Sequence, residues 1–350
     1  MDLLAWFRRH KRRLPWRKTR DPYRIWVSEV MLQQTRVATV VPYYNRFIER
    51  FPSLAALAEA TDAGLMKAWE GLGYYRRALN LRRTARKVIT THAGRLPTTR
   101  AELAELPGFG PYTSASVASI AFGEACAAVD GNVMRVLSRL YLVESDIRQP
   151  SVRREFEGLA DSLLPARQAG RFNEAMMELG ATVCTPRSAS CAVCPIGIHC
   201  RAYATGRVNE LPRRSKKPAI PHYEIAVGVI HKRGRVLIAL RPAEGLLGNL
   251  WEFPGGKRKP DETLEQCCAR EILEETGLRV RVGERFAVVR HAYSHFRITL
   301  SAFHCAYLAG AARPRTSQQI QWVRTAELEG YAFPKANKTL IKALKAEALS

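Results

Sequence analysis

The sequence lacks any apolar run that approaches the roughly 20 residues of a membrane-spanning helix, so we expect no such helix and no membrane partner. Its first residues, MDLLAWFRRHKRR, lack a long apolar core and a small-residue cleavage site, which favours an ordinary helix over a signal peptide. Both absences predict a cytoplasmic protein. Cysteine is also scarce, with 8 residues, and clustered thiols in a cytosolic chain indicate metal binding rather than disulfides.

Acidic residues are few relative to basic ones. The chain has 32 Asp and Glu against 55 Lys and Arg, which gives a formal net charge of +23. This excess favours binding to a polyanion such as nucleic acid, although a generally basic, solvated surface would give the same total. With 350 residues, of which 47% are hydrophobic, the chain is long enough for two domains with separate cores.

A glycine-containing turn lies inside the segment LPGFGPYTSASVASIAFGEACAAVDGNV. Pro107 can end a helix, and Gly108 and Gly110 are free to take positive φ before a new helix from Tyr112 to about residue 121. Such a turn directs several backbone N–H groups to one point, which suits a phosphate. Asp130 follows at the predicted start of another helix, where a carboxylate can stabilise developing positive charge.

One predicted helix begins at Pro22 and continues through YRIWVSEVMLQQTRVATVV. Its Glu29 interrupts apolar surroundings. The residues alone favour an exposed side chain on the polar side of the helix. The alternative is a partly buried acid with a raised pKa, which a general acid requires. A further break at GLGYY precedes a basic helix, and its Tyr74 could act as an aromatic wedge in a base stack.

Four cysteines cluster with the spacing C-x6-C-x2-C-x5-C, at Cys184, Cys191, Cys194 and Cys200. Four thiolates this close are expected to share a metal centre, either an iron–sulfur cluster or a tetrahedral zinc ion. The spacing by itself leaves both open. The remaining cysteines are scattered and are expected in the core: Cys126, Cys267, Cys268 and Cys305.

The composition changes after residue 204. Residues 205–221 are basic and proline-rich, as in a linker that lies along a phosphate backbone. The pattern then predicts strands in YEIAVGVIH and RVLIAL, a helix at 262–275, strands at 279–290 and 296–308, and a final helix at 335–347. We therefore predict an all-α domain over 1–204, the linker 205–221 and an α+β domain over 222–350.

Five motifs of the first domain together resemble the MutY family of adenine DNA glycosylases, within the helix-hairpin-helix endonuclease III superfamily. They are LPWR at Leu14–Arg17, SEVMLQQT at Ser28–Thr35, GLGYY at Gly71–Tyr75, LPGFGPYT at Leu106–Thr113 and VDGNV at Val129–Val133. The cysteine spacing matches the loop of this superfamily that holds a [4Fe–4S] cluster, here 184–200. The resemblance thus implies this cluster rather than zinc.

The resemblance implies a partner, double-stranded DNA with A:8-oxoguanine or A:G mispairs, and the excision of the flipped adenine in base excision repair. Relatives that also cut the strand have a lysine at Tyr112, which forms a Schiff base. A phenol cannot, so we predict a monofunctional glycosylase. Breaking the N-glycosidic bond needs one acid that protonates the base and one carboxylate that faces the sugar cation.

The resemblance also implies residue roles. Glu29 would protonate adenine N7, and Asp130 would stabilise the sugar cation or attack it transiently. Tyr112 would support the sugar and Asp130, and Asn132 would orient water or Asp130. The adenine-binding residues would be Arg17, Glu174 and Trp16. The DNA-binding residues would be Gln34, Thr35, Leu72, Tyr74, Gly108 and Gly110, with Gln34 and Tyr74 intercalating.

The second domain contains a complete Nudix pattern from Gly256 to Leu278. Its Glu271, Glu274 and Glu275 share one helical face and could bind Mg²⁺. The family carries a MutT-like Nudix domain here that reads 8-oxoguanine, generally with a degraded box. By resemblance, the lesion contacts are Tyr293, Ser294 and His295. The intact box leaves two hypotheses, an inherited scaffold, which we prefer, and added hydrolysis of oxidised nucleotides such as 8-oxo-dGTP.

Three functions remain for these features: a glycosylase with a lesion-reading domain, a Nudix pyrophosphohydrolase tethered to DNA, and a non-catalytic lesion-binding protein. The second leaves Glu29, Tyr112 and Asp130 without a role. The third does not explain the pair of Glu29 and Asp130. The first accounts for the most residues, and we expect a monomer.

Overall fold

The computed structural model describes residues 2–215, 219–293 and 295–347. These residues form two compact units. The first contains the chain up to Glu59 and from Leu79 to the linker. The second contains Ala60–Ala78 together with the chain after the linker. The sequence pattern did not indicate that Ala60–Ala78 belongs with the C-terminal residues.

The described chain before the linker is helical and contains no strand, as predicted. None of the described helices is both long and apolar enough to span a bilayer. A π-helical turn at Ala118–Phe122 extends the helix that follows the glycine-containing turn at residues 107–110, called the hairpin helix below. The helices are α1 (Leu3–His10), α2 (Pro22–Leu32), α3 (Val37–Arg50), α4 (Leu54–Ala58), α5 (Asp62–Trp69), α6 (Arg76–Thr91), α7 (Arg100–Ala104), α8 (Pro111–Val117), α9 (Gly131–Tyr141), α10 (Pro150–Ser162), α11 (Ala169–Thr182) and α12 (Arg201–Ala204).

The single long helix predicted from Pro22 is wrong. Helix α2 ends at Leu32 and α3 begins at Val37. Between them Gln34 has a φ of 56°, a left-handed conformation that a residue other than glycine seldom adopts. No glycine or proline marks this break, so the helical pattern continues through it in the sequence.

Helix α11 lies at the centre of the first unit. Its Met176 and Leu179 belong to one buried cluster with Phe7 of α1, Val136 of α9 and Phe156 of α10. These residues recur at helical spacing, so each helix turns one apolar face to the same core.

Two glycines let α11 approach its neighbours closely. A Cβ atom at Gly170 would lie 2.3 Å from the carbonyl oxygen of Ser119, and one at Gly180 would lie 2.7 Å from the Cβ of Asn132. Any larger residue at Gly170 therefore requires α11 or the π-helical turn to shift.

The described part of the second unit contains a mixed seven-stranded sheet. Its elements are β1 (His222–Lys232), β2 (Arg235–Leu240), β3 (Trp251–Glu252), β4 (Gly255–Lys257), α13 (Leu264–Thr276), β5 (Arg279–Ala292), β6 (Arg297–Ala309), β7 (Gln319–Val323) and α14 (Lys335–Glu347). The strand order is β3-β2-β1-β6-β5, with β4 paired to β1 and β7 paired to β2. Strands β1 and β6 are parallel, and the other paired strands are antiparallel.

The sheet has a helix on each face. Helix α14 contributes Leu340 and Leu344 to a core cluster with Phe253 and Phe333, and α13 contributes Ile272 to another cluster. The predicted α+β architecture and its long elements are confirmed. Strands β3, β4 and β7 were not predicted, because two to five residues are too few to show alternation. The four scattered cysteines are buried in the units, as predicted.

The close approach at Gly170 can be tested by stability. Gly170→Ala should lower the free energy of unfolding by about 1–3 kcal/mol, because the new methyl group meets the Ser119 backbone. Gly158, within α10, has open space around its Cβ position, so Gly158→Ala should instead raise it by about 0.5–1 kcal/mol. Urea unfolding followed by circular dichroism compares the two, and stabilisation by both substitutions would contradict the packing described.

Candidate active site

The predicted catalytic and adenine-binding residues line one cleft of the first unit, with a volume of about 1030 Å³. Gln34 and Thr35 also line it, whereas Gly108 and Gly110 do not. The predicted residues that share the cleft are Trp16, Arg17, Glu29, Tyr112, Asp130, Asn132 and Glu174. Side chains from α2, α8, α9 and α11 therefore converge on one space.

Glu29 is a buried acid, and its side chain does not lie on a polar face. Only 5% of the residue is exposed. Its exposed placement, which the residues alone favoured, is wrong because α2 is buried on every side from Ile25 to Met31. The hydroxyl of Tyr112 donates a hydrogen bond of 2.5 Å to Glu29 Oε2.

Burial determines the protonation of Glu29. It raises the pKa of this carboxyl from 4.5 to about 7, although the Tyr112 hydrogen bond opposes the shift. The negative charges of Asp130 and Glu174 raise the pKa further. Burial also raises the pKa of Tyr112 well above its usual value. The Glu29 carboxyl therefore exchanges its proton near neutral pH, where an ordinary glutamate is ionised.

Asp130 caps the N-terminus of α9. One carboxylate oxygen accepts the backbone N–H groups of Asn132 at 2.9 Å and Val133 at 2.8 Å, and the other accepts the Asn132 side-chain amide at 2.7 Å. Burial raises the pKa of Asp130, while these hydrogen bonds oppose the increase. The helix dipole also favours the carboxylate form at this position.

Asn132 is held in turn by Arg135. The Arg135 guanidinium donates to Asn132 Oδ1 at 2.9 Å and to the carbonyl of Gly180 at 2.6 Å. The amide group therefore points its NH₂ at Asp130. This arrangement fixes the orientation of the carboxylate toward the cleft.

A second wall of the cleft is organised by Glu178, a buried acid to which the sequence analysis gave no role. Glu178 accepts from Arg12 Nε at 2.9 Å and from Arg17 Nη2 at 3.0 Å. Burial alone would raise the pKa of Glu178, but the hydrogen bonds from both arginines outweigh it and lower the pKa to about 2. Its spacing of four residues from Glu174 is the signal that could have indicated a shared wall.

Arg17 bridges two acids. Besides Glu178 it contacts Glu174 Oε1 through Nε at 3.3 Å. Burial raises the pKa of Glu174, against the positive charges of Arg17 and Arg20. Trp16 is buried beside them, with its ring edge-on to Tyr44 at 5.3 Å between centroids. The wall thus combines an aromatic surface with charged donors and acceptors.

The turn between α2 and α3 presents Gln34 to solvent. The Gln33 side chain donates to Thr113 Oγ1 of α8 at 3.1 Å. The Thr35 N–H bonds the Leu32 carbonyl at 3.2 Å. These contacts hold the turn against the hairpin helix.

Of the two hairpin glycines, only Gly108 takes positive φ. Its φ is +81°, and an added Cβ would lie 2.8 Å from Asn80 Cβ. Gly110, the N-cap of α8, has a φ of −91° and does not use the positive φ that glycine allows. The hairpin requires glycine at residue 108 for its conformation and its close packing.

The four clustered cysteines line one small cavity of the first unit. Arg139 donates to Cys184 Sγ at 3.2 Å, and Cys200 Sγ donates to the Arg139 carbonyl at 3.4 Å. None of the four forms a disulfide. Among the described residues, no three His, Cys, Asp or Glu side chains are arranged to hold a single metal ion.

Tyr74 lies in a left-handed turn of the second unit. Gly71, Gly73 and Tyr74 have φ values of 94°, 77° and 47°. The Gly73 carbonyl accepts from Trp69 Nε1 at 3.0 Å and from Arg77 Nη2 at 3.1 Å. Tyr74 is 38% exposed, whereas Leu72 is buried. The turn is therefore braced and presents one aromatic ring to solvent.

The Nudix acids carry internal partners. Arg270 contacts Glu262 at 2.6 Å, Glu271 at 2.8 Å and Glu274 at 3.1 Å. Glu275 accepts the Gly255 N–H at 3.1 Å, and burial, reinforced by the charge of Glu252, raises its pKa to about 8.

The predicted lesion-reading loop is partly described. The Tyr293 N–H bonds the Phe296 carbonyl at 2.9 Å, and the two rings lie 4.8 Å apart. His295 is exposed, and Ser294 lies outside the described residues.

Two family models match different parts of the chain. A model described as HhH-GPD superfamily base excision DNA repair protein matches residues 27–161, and a NUDIX domain model matches 226–343. A thermostable thymine-DNA glycosylase structure covers 58% of this chain and 94% of its own, with 30% identity and a TM-score of 0.54. A trapped endonuclease III–DNA covalent intermediate covers 58% and 93%, with 26% identity and a TM-score of 0.51.

The similarity also extends across both units. The adenine DNA glycosylase of Homo sapiens is 33% identical over 402 residues, which cover 97% of this chain and 73% of that protein. This match includes the motifs that line the cleft and the Nudix region together. The chain therefore belongs to the adenine DNA glycosylase family.

Proposed function

We propose that this DNA N-glycosylase flips adenine out of A:8-oxoguanine or A:G mispairs in double-stranded DNA and hydrolyses its glycosidic bond without cutting the strand. The observation that carries the proposal is the buried Glu29, hydrogen-bonded to Tyr112, in the same cleft as the helix-capping Asp130. These groups supply the acid and the carboxylate that cleavage of an N-glycosidic bond requires.

Glu29 is the proposed general acid. Adenine leaves poorly until it is protonated, and a buried carboxyl with a pKa of about 7 holds a proton near neutral pH. The proton passes from the Glu29 carboxyl to adenine N7. The Tyr112 hydroxyl keeps the carboxyl in one orientation for this transfer.

Asp130 is the proposed counter-charge for the sugar cation. Its carboxylate is fixed by two backbone N–H groups and by Asn132, so it needs no reorientation as positive charge develops. Asn132 orients Asp130 or the attacking water. Tyr112 offers a phenol rather than an amine, so no Schiff base forms, and the reaction ends at the abasic site.

The wall of Trp16, Arg17 and Glu174 is proposed to hold the flipped base. A buried aromatic ring suits one face of adenine, while the guanidinium and carboxylate can bond its polar edge. Glu178 supports this wall by holding Arg17 in place.

Gln34 and Tyr74 are proposed to fill the gap left by the flipped base. Both lie exposed in left-handed turns that hold a side chain away from the helices. Thr35 and the backbone around Gly108 and Gly110 would contact phosphates. Leu72 would contact DNA through its backbone, since its side chain is buried.

For the lesion strand we propose Tyr293, Ser294 and His295. The partial exposure of Tyr293 and the exposure of His295 in the loop after β5 support this assignment for the described residues. The Nudix box is proposed to be a scaffold. Metal binding by Glu271 or Glu274 would compete with their Arg270 ion pairs.

We propose that Cys184, Cys191, Cys194 and Cys200 hold a [4Fe–4S] cluster. Four thiols around one cavity supply the donor set that such a cluster requires. When bound, the cluster would cross-link the loop to the helical core. We also propose that the protein is cytoplasmic and monomeric, as predicted from the sequence.

The role of Glu29 is tested by single-turnover cleavage of an A:8-oxoguanine duplex, with and without alkali. The wild type should yield strand breaks only after alkali, because it leaves an abasic site. Glu29→Gln should bind the mispair but lose about 10²–10⁴-fold in rate, as expected for removal of a general acid. Glu49→Gln, at an exposed position of α3, is the control. Near-normal excision by Glu29→Gln, or borohydride-trapped adducts, would refute the proposal.

The cluster is tested by iron, sulfide and zinc analysis of the purified protein. We expect about four iron and four sulfide per chain, with loss of both in Cys191→Ser. Cys126→Ser should retain them, since that thiol is buried outside the cluster loop. About one zinc per chain, without sulfide, would contradict the assignment.

A further inference from the structure

We infer that Glu70 is a positioning residue that fastens the Tyr74 turn (Gly71–Tyr75) to the anchor segment (Tyr331–Phe333). All of these residues belong to the second unit. The inference rests on the proposed function, in which Tyr74 intercalates beside the lesion. It adds a residue that makes this intercalation depend on the C-terminal part of the chain.

Both carboxylate oxygens of Glu70 accept hydrogen bonds. Glu70 Oε1 accepts the Phe333 N–H at 2.9 Å, while Oε2 accepts from Lys67 Nζ and Lys338 Nζ at 2.9 Å each. Its side chain is only 6% exposed. Because a buried carboxylate is costly unless it is paired, these three donors hold the acid in one position.

Lys67 provides a second link between the end of α5 and the anchor segment. Its ammonium also donates to the Tyr331 carbonyl at 3.1 Å. Burial raises the pKa of Glu70, but the hydrogen bonds from Phe333, Lys67 and Lys338 outweigh it, so the carboxyl remains ionised near neutral pH. Helix α5 therefore ends against the anchor segment through two charged side chains.

The Tyr74 turn begins directly after Glu70. Its three left-handed residues are braced internally by Trp69 and Arg77. These contacts attach the turn to the end of α5. We therefore expect the position of Glu70 to determine where the Tyr74 ring lies.

The anchor segment and the lesion-reading loop (residues 293–295) pack on the same buried cluster through Phe333, Tyr331 and Tyr293. The Trp251 N–H bonds the Ala332 carbonyl at 2.9 Å, and Phe333 belongs to a buried cluster with Trp251. Tyr293 and Tyr331 pack against that same cluster. A single core thus supports both the residue proposed to read 8-oxoguanine and the attachment of the proposed wedge.

The consequence concerns lesion preference rather than chemistry. Loss of Glu70 should leave adenine excision from A:G mispairs unchanged in maximal rate. The preference for A:8-oxoguanine over A:G should fall about tenfold, the factor expected for one charge-assisted hydrogen bond.

The experiment compares single-turnover rates on both mispairs, over a range of enzyme concentrations, for the wild type, Glu70→Ala and Glu70→Gln. Glu70→Gln should retain part of the preference, because an amide oxygen can still accept the Phe333 N–H. Glu329→Gln is the matched control, since it removes an exposed acid that pairs with Lys345 in the same unit. In a Tyr74→Ala background, Glu70→Ala should have no further effect.

Amide hydrogen exchange of the free protein provides a second readout that needs no catalysis. Peptides covering residues 71–75 should exchange faster in Glu70→Ala and remain protected in Glu329→Gln. An unchanged exchange rate of residues 71–75 in Glu70→Ala would overturn the inference. So would a further loss of single-turnover rate, equal on both mispairs, when Glu70→Ala is added to Tyr74→Ala. If the wild type releases no adenine, the proposed function fails, while the exchange result still decides whether Glu70 fixes the turn.

Discussion

The contact between Glu29 and Tyr112 is the interaction on which the catalytic account depends. A buried position such as residue 29 of α2 usually holds an apolar side chain, because burial penalises the charged form of a carboxyl group. Here the Tyr112 hydroxyl satisfies one oxygen at 2.5 Å, and the raised pKa keeps a proton available near neutral pH. The same burial that costs stability therefore gives Glu29 the raised pKa on which its proposed role as general acid depends.

The remaining elements of the first unit determine what surrounds this acid. Asp130 caps the N-terminus of α9, so the first N–H groups of that helix also orient the second carboxylate. Helix α11 carries Glu174 and Glu178 four residues apart, and Gly170 and Gly180 bring it close enough to complete the wall. The two acids have opposite pKa shifts, raised for Glu174 and lowered for Glu178, because only Glu178 receives hydrogen bonds from two arginines.

Much of this arrangement was predictable from the sequence, because long motifs and long amphipathic elements have local signatures. The predicted cleft residues do share one cleft. The failures have a common physical cause, since they depend on packing between distant segments. Composition cannot show that α2 is buried on all sides, that Gln34 breaks a continuous helical pattern, or that Glu178 meets Arg12 across 166 residues. Glu70 likewise accepts hydrogen bonds from Phe333 and Lys338, which lie 263 and 268 residues away.

The most direct test of the central claim is the pH dependence of the single-turnover rate constant for adenine release by the wild type. As the proposed general acid, Glu29 must be protonated to act. Because its pKa is raised, the protonated form is lost as the pH rises through about 7. The account predicts a plateau at lower pH and a fall of about tenfold per pH unit well above this value. A rate constant that stays level or rises across this range would contradict the assignment of Glu29 as the acid.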